Sequence, residues 1–340
     1  MRAWHAVLMA VALSGVAACD LAQPADEIVA PPVGYGPALG TAENPVPEDG
    51  VTYAARSRIA LDSSDTPNVA EVVASLRAFS EAPAQTLITL AAGTPELAQL
   101  TSELPAALQA QLAGWIDAEL DAVKLGSGGV QHYAASLSGY AEVAMTRFAL
   151  DSTMWFTPTR ATHTITGIGF ELGDVNVVVP IGGLKADAVD QQVPVAVAER
   201  GLITFGDHQF GLAFGEHVWQ GLNLASRTVF GFDVRSAFDD AIDCVAVAQA
   251  VASKCIDAEC VGHQSQLQAV CEQSLDGLVT DLSQGITAFD SDLVHYVAGS
   301  ARLVDDDGDG LADRIADGVW DSELVMGPAR GTFTASADGR

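Results

Sequence analysis

The spacing of apolar residues changes its period along the chain. From residue 68 to about 150, apolar positions recur every three or four residues and are interrupted by prolines and by the glycine-rich stretch 126–129, which predicts several helices. Between 155 and 234 apolar and other residues alternate, and glycines are frequent. This pattern predicts five to seven antiparallel strands that form a curved sheet or a partial barrel.

The helical period returns between 236 and 289, where two apolar stripes predict a helical hairpin. The last part of the chain, 297–340, returns to an alternating pattern. There the strand that contains Trp320, Leu324 and Met326 is expected to pair with 332–335 in a β-hairpin. The whole pattern predicts an α+β fold with a helical layer, an antiparallel sheet, a helical hairpin and a C-terminal β-hairpin.

The segment 19–67 has neither period. It contains seven prolines among glycine and acidic residues, a composition typical of an extended, semi-rigid spacer. We therefore predict that it is a tether, and that the folded region is 68–340.

The first 18 residues have the character of an export signal. Arg2 precedes an apolar run, 6–13, that is shorter than the roughly 20 residues a membrane-spanning helix needs. Small residues then lead to Cys19, and the stretch 16–19 resembles the lipobox of bacterial lipoproteins. The resemblance implies cleavage before Cys19 and attachment of a diacylglyceryl group to its sulfur. The alternative is an ordinary signal peptide cleaved nearby.

Composition and charge narrow the function. Of the 340 residues 49% are hydrophobic and 18% are charged, which is typical of a globular protein. The formal net charge is −28, so the surface repels nucleic acids and anionic lipids but attracts divalent cations. Membrane attachment would therefore depend on the lipid at Cys19, and the remaining partners we expect are a protein or an apolar ligand.

Four further cysteines are spaced C-x10-C-x4-C-x10-C. Eleven residues of α-helix complete about three turns, so an antiparallel hairpin would place Cys244 opposite Cys271 and Cys255 opposite Cys260. We predict these two disulfides, which suit an exported, oxidising location. A four-cysteine metal site is excluded on distance, because cysteines three turns apart cannot reach one ion.

The acidic run 305–313 reads D-D-D-G-D-G-L-A-D. It contains D-x-D-x-D-G-x-x-D, which resembles the calcium loop shared by EF-hands, dockerins and thrombospondin-type acidic repeats. Alternate carboxylates in a tight loop can converge on one hard cation, and Gly310 permits the bend. The predicted ligands are Asp305, Asp307, Asp309, the carbonyl of Leu311, and Asp313.

The loop departs from the EF-hand at its twelfth position, where Ala316 replaces a glutamate. Asp317 is one residue farther on and could substitute for it. We expect a structural calcium site with a dissociation constant of about 10⁻⁴ to 10⁻³ M. The alternative is a solvated acidic turn without an ion.

The chain contains no G-x-S-x-G, H-E-x-x-H, P-loop or dinucleotide-binding motif. Two acid–histidine dipeptides, Asp207–His208 and Glu216–His217, are expected at surface turns beside one short strand. His163 and His295 are expected to be structural.

These features predict a non-enzymatic, lipid-anchored protein of the bacterial cell envelope that serves as a binding or scaffolding module with a structural calcium site. Two alternatives stay open. An aromatic-lined sheet could carry a hydrophobic ligand, and a hydrolase site could be assembled from distant residues. The hydrolase would need His163, His208 or His217 beside a serine or a carboxylate in a cleft.

Overall fold

The computed structural model describes residues 40–60, 67–125, 128–182, 186–187, 189–288, 294–324 and 327–337. The predicted signal peptide, Cys19 and the first part of the predicted tether lie outside the described residues. The side chains of His295 and Met326 do so as well.

The fold is mixed α+β, as the hydrophobic pattern predicts. Nine helices lie in the described part of the chain: α1 Pro67–Glu81, α2 Pro83–Leu90, α3 Pro95–Glu103, α4 Ala106–Ala122, α5 Val130–Thr146, α6 Phe214–Phe230, α7 Val234–Asp239, α8 Cys244–Ala252 and α9 Gln264–Thr287. The strands are β1 Thr52–Ala60, β2 Arg147–Thr157, β3 Arg160–Leu172, β4 Val175–Pro180, β5 Ala186–Asp187, β6 Asp190–Val197, β7 Leu202–Phe205, β8 His208–Leu212, β9 Cys255–Ile256, β10 Glu259–Cys260, β11 Val294–Val304, β12 Arg314–Leu324 and β13 Gly327–Ala337.

Eight of these strands close into an antiparallel barrel, where the sequence predicted a curved sheet or partial barrel. Their order is β12-β13-β1-β2-β3-β6-β7-β11, and the pairing of β11 with β12 completes the ring. A closed ring leaves no edge strand unpaired within it, which explains why such short strands as β7 are stable there. The final hairpin, β12 with β13, pairs Trp320 with Gly331.

The helices join the barrel through the long strand β3. Its first half, 160–164, pairs with β6 inside the ring, whereas 167–172 pairs with β4 beyond it. Helices α5 and α6 pack on this extension, and the rings of Phe148 and Phe214 meet there with centroids 4.6 Å apart. Helix α9 is the centre of the helical layer, because it packs against α1, α2, α3, α6, α7 and α8.

The prediction of a tether over 19–67 is wrong for residues 40–60. Strand β1 lies in the middle of the barrel wall, between β13 and β2. Its inward positions are Tyr53, Ala55, Ser57 and Ile59, all of them buried. The alternation typical of a strand is therefore present. Two of its four inward residues are alanine and serine, however, so the sequence shows no strongly apolar pattern there.

The prediction of strands throughout 155–234 is also wrong at both ends. Strand β2 starts at Arg147, and α6 occupies 214–230 where strands were expected. Two of the glycines that are frequent in this region, Gly215 and Gly221, lie within α6 and permit close packing. A Cβ atom on Gly221 would lie 2.6 Å from the Phe170 ring, and one on Gly215 would lie 2.3 Å from the Ile286 carbonyl oxygen.

Both predicted disulfides, Cys244–Cys271 and Cys255–Cys260, are present. The predicted helical hairpin is only partly correct. Helix α8 ends at Ala252, and the inner pair of cysteines lies opposite each other on the small ladder of β9 and β10. The outer bridge joins the start of α8 to α9. Two positive φ angles, at Asp257 and His263, accompany this tight connection, which a continuous helix could not make.

Candidate functional site

The acidic loop lies between β11 and β12 at one end of the barrel. Gly308 and Gly310 have φ angles of +83° and +87°, the left-handed region that glycine adopts at little cost. These two residues turn the chain sharply, so that carboxylates from both arms of the loop face the same side.

Three of the predicted ligands come together in this loop. Asp305, Asp307 and Asp313 each offer a carboxylate oxygen, and the three oxygens all lie within 4.8 Å of one another. Hard divalent cations such as calcium are bound by oxygens in this kind of cluster. The loop can therefore offer three carboxylates to one ion, and its remaining ligands would be carbonyls or waters.

Two other predicted ligands do not belong to that group of three. One carboxylate oxygen of Asp309 accepts a hydrogen bond from the backbone N–H of Leu311 at 2.8 Å. Asp317 has a positive φ angle and lies where the pairing of β12 with β13 shifts register. It lies within β12 and is not one of the three residues whose carboxylate oxygens converge, so its proposed substitution for the missing glutamate has no support in the geometry.

Backbone groups hold Asp305 in place. Its two carboxylate oxygens accept hydrogen bonds from the N–H groups of Gly308 at 2.6 Å and Gly310 at 2.7 Å. Desolvation raises the pKa of Asp305, but these backbone donors outweigh it and the pKa is lowered overall. Asp305 is therefore ionised at neutral pH and is already oriented by the loop.

One cation lies close to the loop. Arg314 donates to both carboxylate oxygens of Asp306, at 2.9 and 3.3 Å, and this ion pair raises the pKa of its guanidinium. Asp306 and Arg314 thus form a fork-shaped ion pair beside the group of three carboxylates.

The segment 40–48 crosses the loop and was missed as part of the site. The N–H of Val46 donates to the Gly310 carbonyl at 3.2 Å, and the N–H of Ala312 donates to the Val46 carbonyl at 2.9 Å. Gly40 lies against Gly310 so closely that a Cβ on either would collide with the other's backbone. The phenol of Tyr53 donates to the Ala312 carbonyl at 2.6 Å and ties the loop to β1.

A second polar cluster lies inside the barrel. His163 on β3 contacts Ser152 through Nε2 and His208 through Nδ1, both at 2.9 Å, and Nδ1 of His208 lies 2.9 Å from the Gly206 carbonyl. Because a carbonyl only accepts, we assign the proton of neutral His208 to Nδ1. His163 then donates to His208 and accepts from the Ser152 hydroxyl, so that each polar atom in the series has a partner.

Burial in this series favours the neutral imidazole of His163. Burial lowers the pKa of His163 well below its usual range, and the neighbouring His208 lowers it further. The ring of His163 also stacks on Trp320, with centroids 5.8 Å apart and planes 13° apart. The indole N–H of Trp320 donates to Ser57 at 3.1 Å, which extends the polar contacts across the barrel.

The expectation that both acid–histidine dipeptides lie at surface turns is wrong. His208 is an inward residue of β8, and His217 is completely buried on α6, where its Nδ1 donates to the Ala213 carbonyl at 2.7 Å. His208, Phe210 and Leu212 occupy alternate positions of β8 and therefore share one face. This alternation was the signal that could have placed His208 inside. Burial lowers the pKa of His217, and its hydrogen bond to Ala213 offsets this only in part.

His163 does lie beside a serine, as the hydrolase alternative requires, but not in a cleft. Ser152, His163 and His208 are 3%, 2% and 5% exposed, respectively. The barrel interior around them is filled with aromatic rings in contact with one another: Tyr53, Phe156, Phe205, Phe210, Tyr296, Trp320 and Phe333. In the described part of the chain this interior is a packed core and offers no observation in favour of a carried ligand.

Comparisons of the chain with protein-family models, curated proteins and solved structures found no match. Among the helices of the described residues, none combines the length and apolar character needed to cross a bilayer. The assignment of function therefore depends on the chemistry of the residues themselves.

Proposed function

We propose that the protein is an exported, lipid-anchored protein of the bacterial cell envelope that serves as a binding or scaffolding module with a structural calcium site. The observation that carries the calcium assignment is the convergence of Asp305, Asp307 and Asp313 in a loop whose sequence resembles known calcium loops. The lipid anchor rests on the sequence before Cys19.

The position of the loop suggests what calcium does. Segment 40–48 follows the predicted anchor region and is hydrogen-bonded to the backbone of Gly310 and Ala312. Its contacts extend to the turn between β6 and β7, since the side-chain oxygen of Asn44 accepts a hydrogen bond from the backbone N–H of Arg200 at 2.7 Å. By fixing the conformation of the loop, a bound cation would hold this segment against the barrel, so calcium serves as a structural clamp.

Proteolysis with a glutamate-specific endoproteinase tests the clamp. Glu43 is exposed and Glu48 is half-buried, and both lie within the segment. We expect cleavage at these sites to be slower in millimolar calcium than in chelator. An Asp307→Asn variant should be cleaved equally fast under both conditions, and calcium protection that persists in this variant would contradict the clamp.

Metabolic labelling with a radioactive fatty acid tests the anchor separately. The wild-type protein should incorporate the label and partition into detergent, whereas Cys19→Ala should do neither. An unlabelled wild-type protein would favour the ordinary signal peptide and leave the calcium assignment unaffected.

A further inference from the structure

A cleft of about 570 Å³ lies between α6, α7 and α9, on the helical side of the molecule. Its volume falls within the range of pockets that take small ligands. The lining combines an aromatic side chain with many polar ones: Trp219, Gln220, Asn223, Leu224, Arg227, Asp233, Arg235, Ser236, Asp239, Asp240, Val279 and Ser283.

Ion pairs fix the charged groups of this cleft. Arg227 contacts Asp233 at 2.8 Å, and Arg235 contacts Asp239 at 3.0 Å. The backbone N–H of Ser236 and the guanidinium of Arg227 lower the pKa of Asp233, so this pair stays ionised. Both arginines are thus already neutralised, and the cleft has no surplus positive charge for an anionic ligand.

Other polar groups of the cleft have no such partner. The Trp219 indole N–H, the Gln220 amide and the Asp240 carboxylate form no side-chain hydrogen bond or ion pair with other described residues. Gln220 and Asp240 are exposed, and Trp219 is half-buried, so its ring borders the cleft. Together they offer two donor groups, the indole N–H and the amide NH2, and two acceptor groups, the amide oxygen and the carboxylate, around one flat apolar surface.

We propose that this cleft binds an oligosaccharide. A sugar ring has an apolar face that packs on an indole, and its hydroxyls both donate and accept hydrogen bonds, which matches the mixture of Trp219, Gln220 and Asp240. A purely apolar ligand would bury these polar groups without partners, and an anionic ligand would meet the charge of Asp240. The inference names a ligand for the binding module proposed above.

Titration of the full mature protein with cellobiose, maltose and chitobiose, followed by tryptophan fluorescence and calorimetry, tests this inference. At least one sugar should bind with a dissociation constant on the order of 1 mM. Trp219→Ala should weaken binding by about tenfold or more, and Gln220→Ala and Asp240→Asn by smaller factors. Trp155→Ala is the matched control, because Trp155 is 42% exposed on the barrel strand β2, and this variant should bind normally.

Two results would overturn the proposal. One is the absence of binding by all three sugars up to about 20 mM, well beyond the affinity expected for such a cleft. The other is binding that survives both Trp219→Ala and Asp240→Asn; the exposed Asp240 makes the second variant informative even if the first fails to fold. Calcium titrations involve none of these residues, so failure here and failure of the calcium site are separate outcomes.

Discussion

Polar side chains cluster both in the barrel interior and in the loop 305–313, but the two clusters differ in charge and in how their hydrogen bonds are made. Inside the barrel, Ser152, His163 and His208 form a neutral series in which each donor has an acceptor. In the loop, hydrogen bonds are also made, yet three carboxylates lie within 4.8 Å of one another and Arg314 is engaged by Asp306. A neutral, satisfied cluster needs no ligand, whereas a cluster of like charges is stabilised by a cation.

The largest expected effect comes from breaking the neutral series. His208→Ala leaves the Nδ1–H of His163 without an acceptor in a packed interior, and we expect a loss of about 3 kcal/mol in the free energy of unfolding. Urea denaturation measures it. His132→Ala, at an exposed histidine, is the control and should change stability by no more than about 0.5 kcal/mol. Equal losses in the two variants would show that the series contributes nothing.

A smaller effect is expected from the glycines of the loop. Both Gly308 and Gly310 have positive φ angles, but only at Gly310 would a Cβ collide with backbone, 2.5 Å from the Gly40 carbonyl oxygen. Gly310→Ala should cost about 2 kcal/mol and Gly308→Ala about 1 kcal/mol, as thermal unfolding in chelator would show. If the two variants were equally stable, segment 40–48 would not contact the loop as described.

Acid should destabilise the protein through the buried histidines of the barrel and of α6, and not through the loop alone. The folded protein keeps His163 and His217 neutral because their pKa values are lowered, whereas the unfolded chain takes up protons below about pH 6.5. Stability is therefore fully present above that pH and falls below it by up to about 1.4 kcal/mol per pH unit for each histidine.

Urea titrations at pH 7.5, 6.5 and 5.5, all in chelator, measure this slope without a contribution from calcium. His163→Phe should reduce the slope even if it lowers stability at every pH. A slope that is unchanged in this variant would mean that His163 is protonated in the folded protein.

The smallest effect is the stabilisation by calcium itself. For a dissociation constant of 10⁻⁴ to 10⁻³ M, 1 mM calcium should add about 0.4 to 1.4 kcal/mol to the free energy of unfolding. Thermal unfolding with and without calcium measures this gain. Magnesium at the same concentration is the control and should add less, because it loses its waters reluctantly.

The sequence predicted those parts of the fold that depend on strong local signals. The helices of 67–146, both disulfides and the final hairpin follow from period, spacing and turn residues. Strand β1 was missed because Ala55 and Ser57 fill inward positions where the barrel leaves little room. Helix α6 was missed because its glycines are required by neighbours distant in sequence, Phe170 and Ile286.

The candidate site was predictable to a similar degree. The motif located the loop, but it could not say that Asp305, Asp307 and Asp313 converge and Asp309 does not, because this depends on how the folded loop orients each side chain. The sequence could not reveal the hydrogen bond between Val46 and Gly310 or the one between His163 and Ser152. Each joins two positions that only the closed barrel brings together.

Calorimetric titration of calcium into the full mature protein tests the central claim most directly. The wild type should bind one calcium ion with a dissociation constant of about 10⁻⁴ to 10⁻³ M. Asp307→Asn should abolish the signal, whereas Asp309→Asn, which keeps its hydrogen bond to the Leu311 N–H, should retain most of it. A wild-type protein that binds no calcium at millimolar concentration would contradict the site, and equal losses in the two variants would contradict the assignment of Asp305, Asp307 and Asp313 as its ligands.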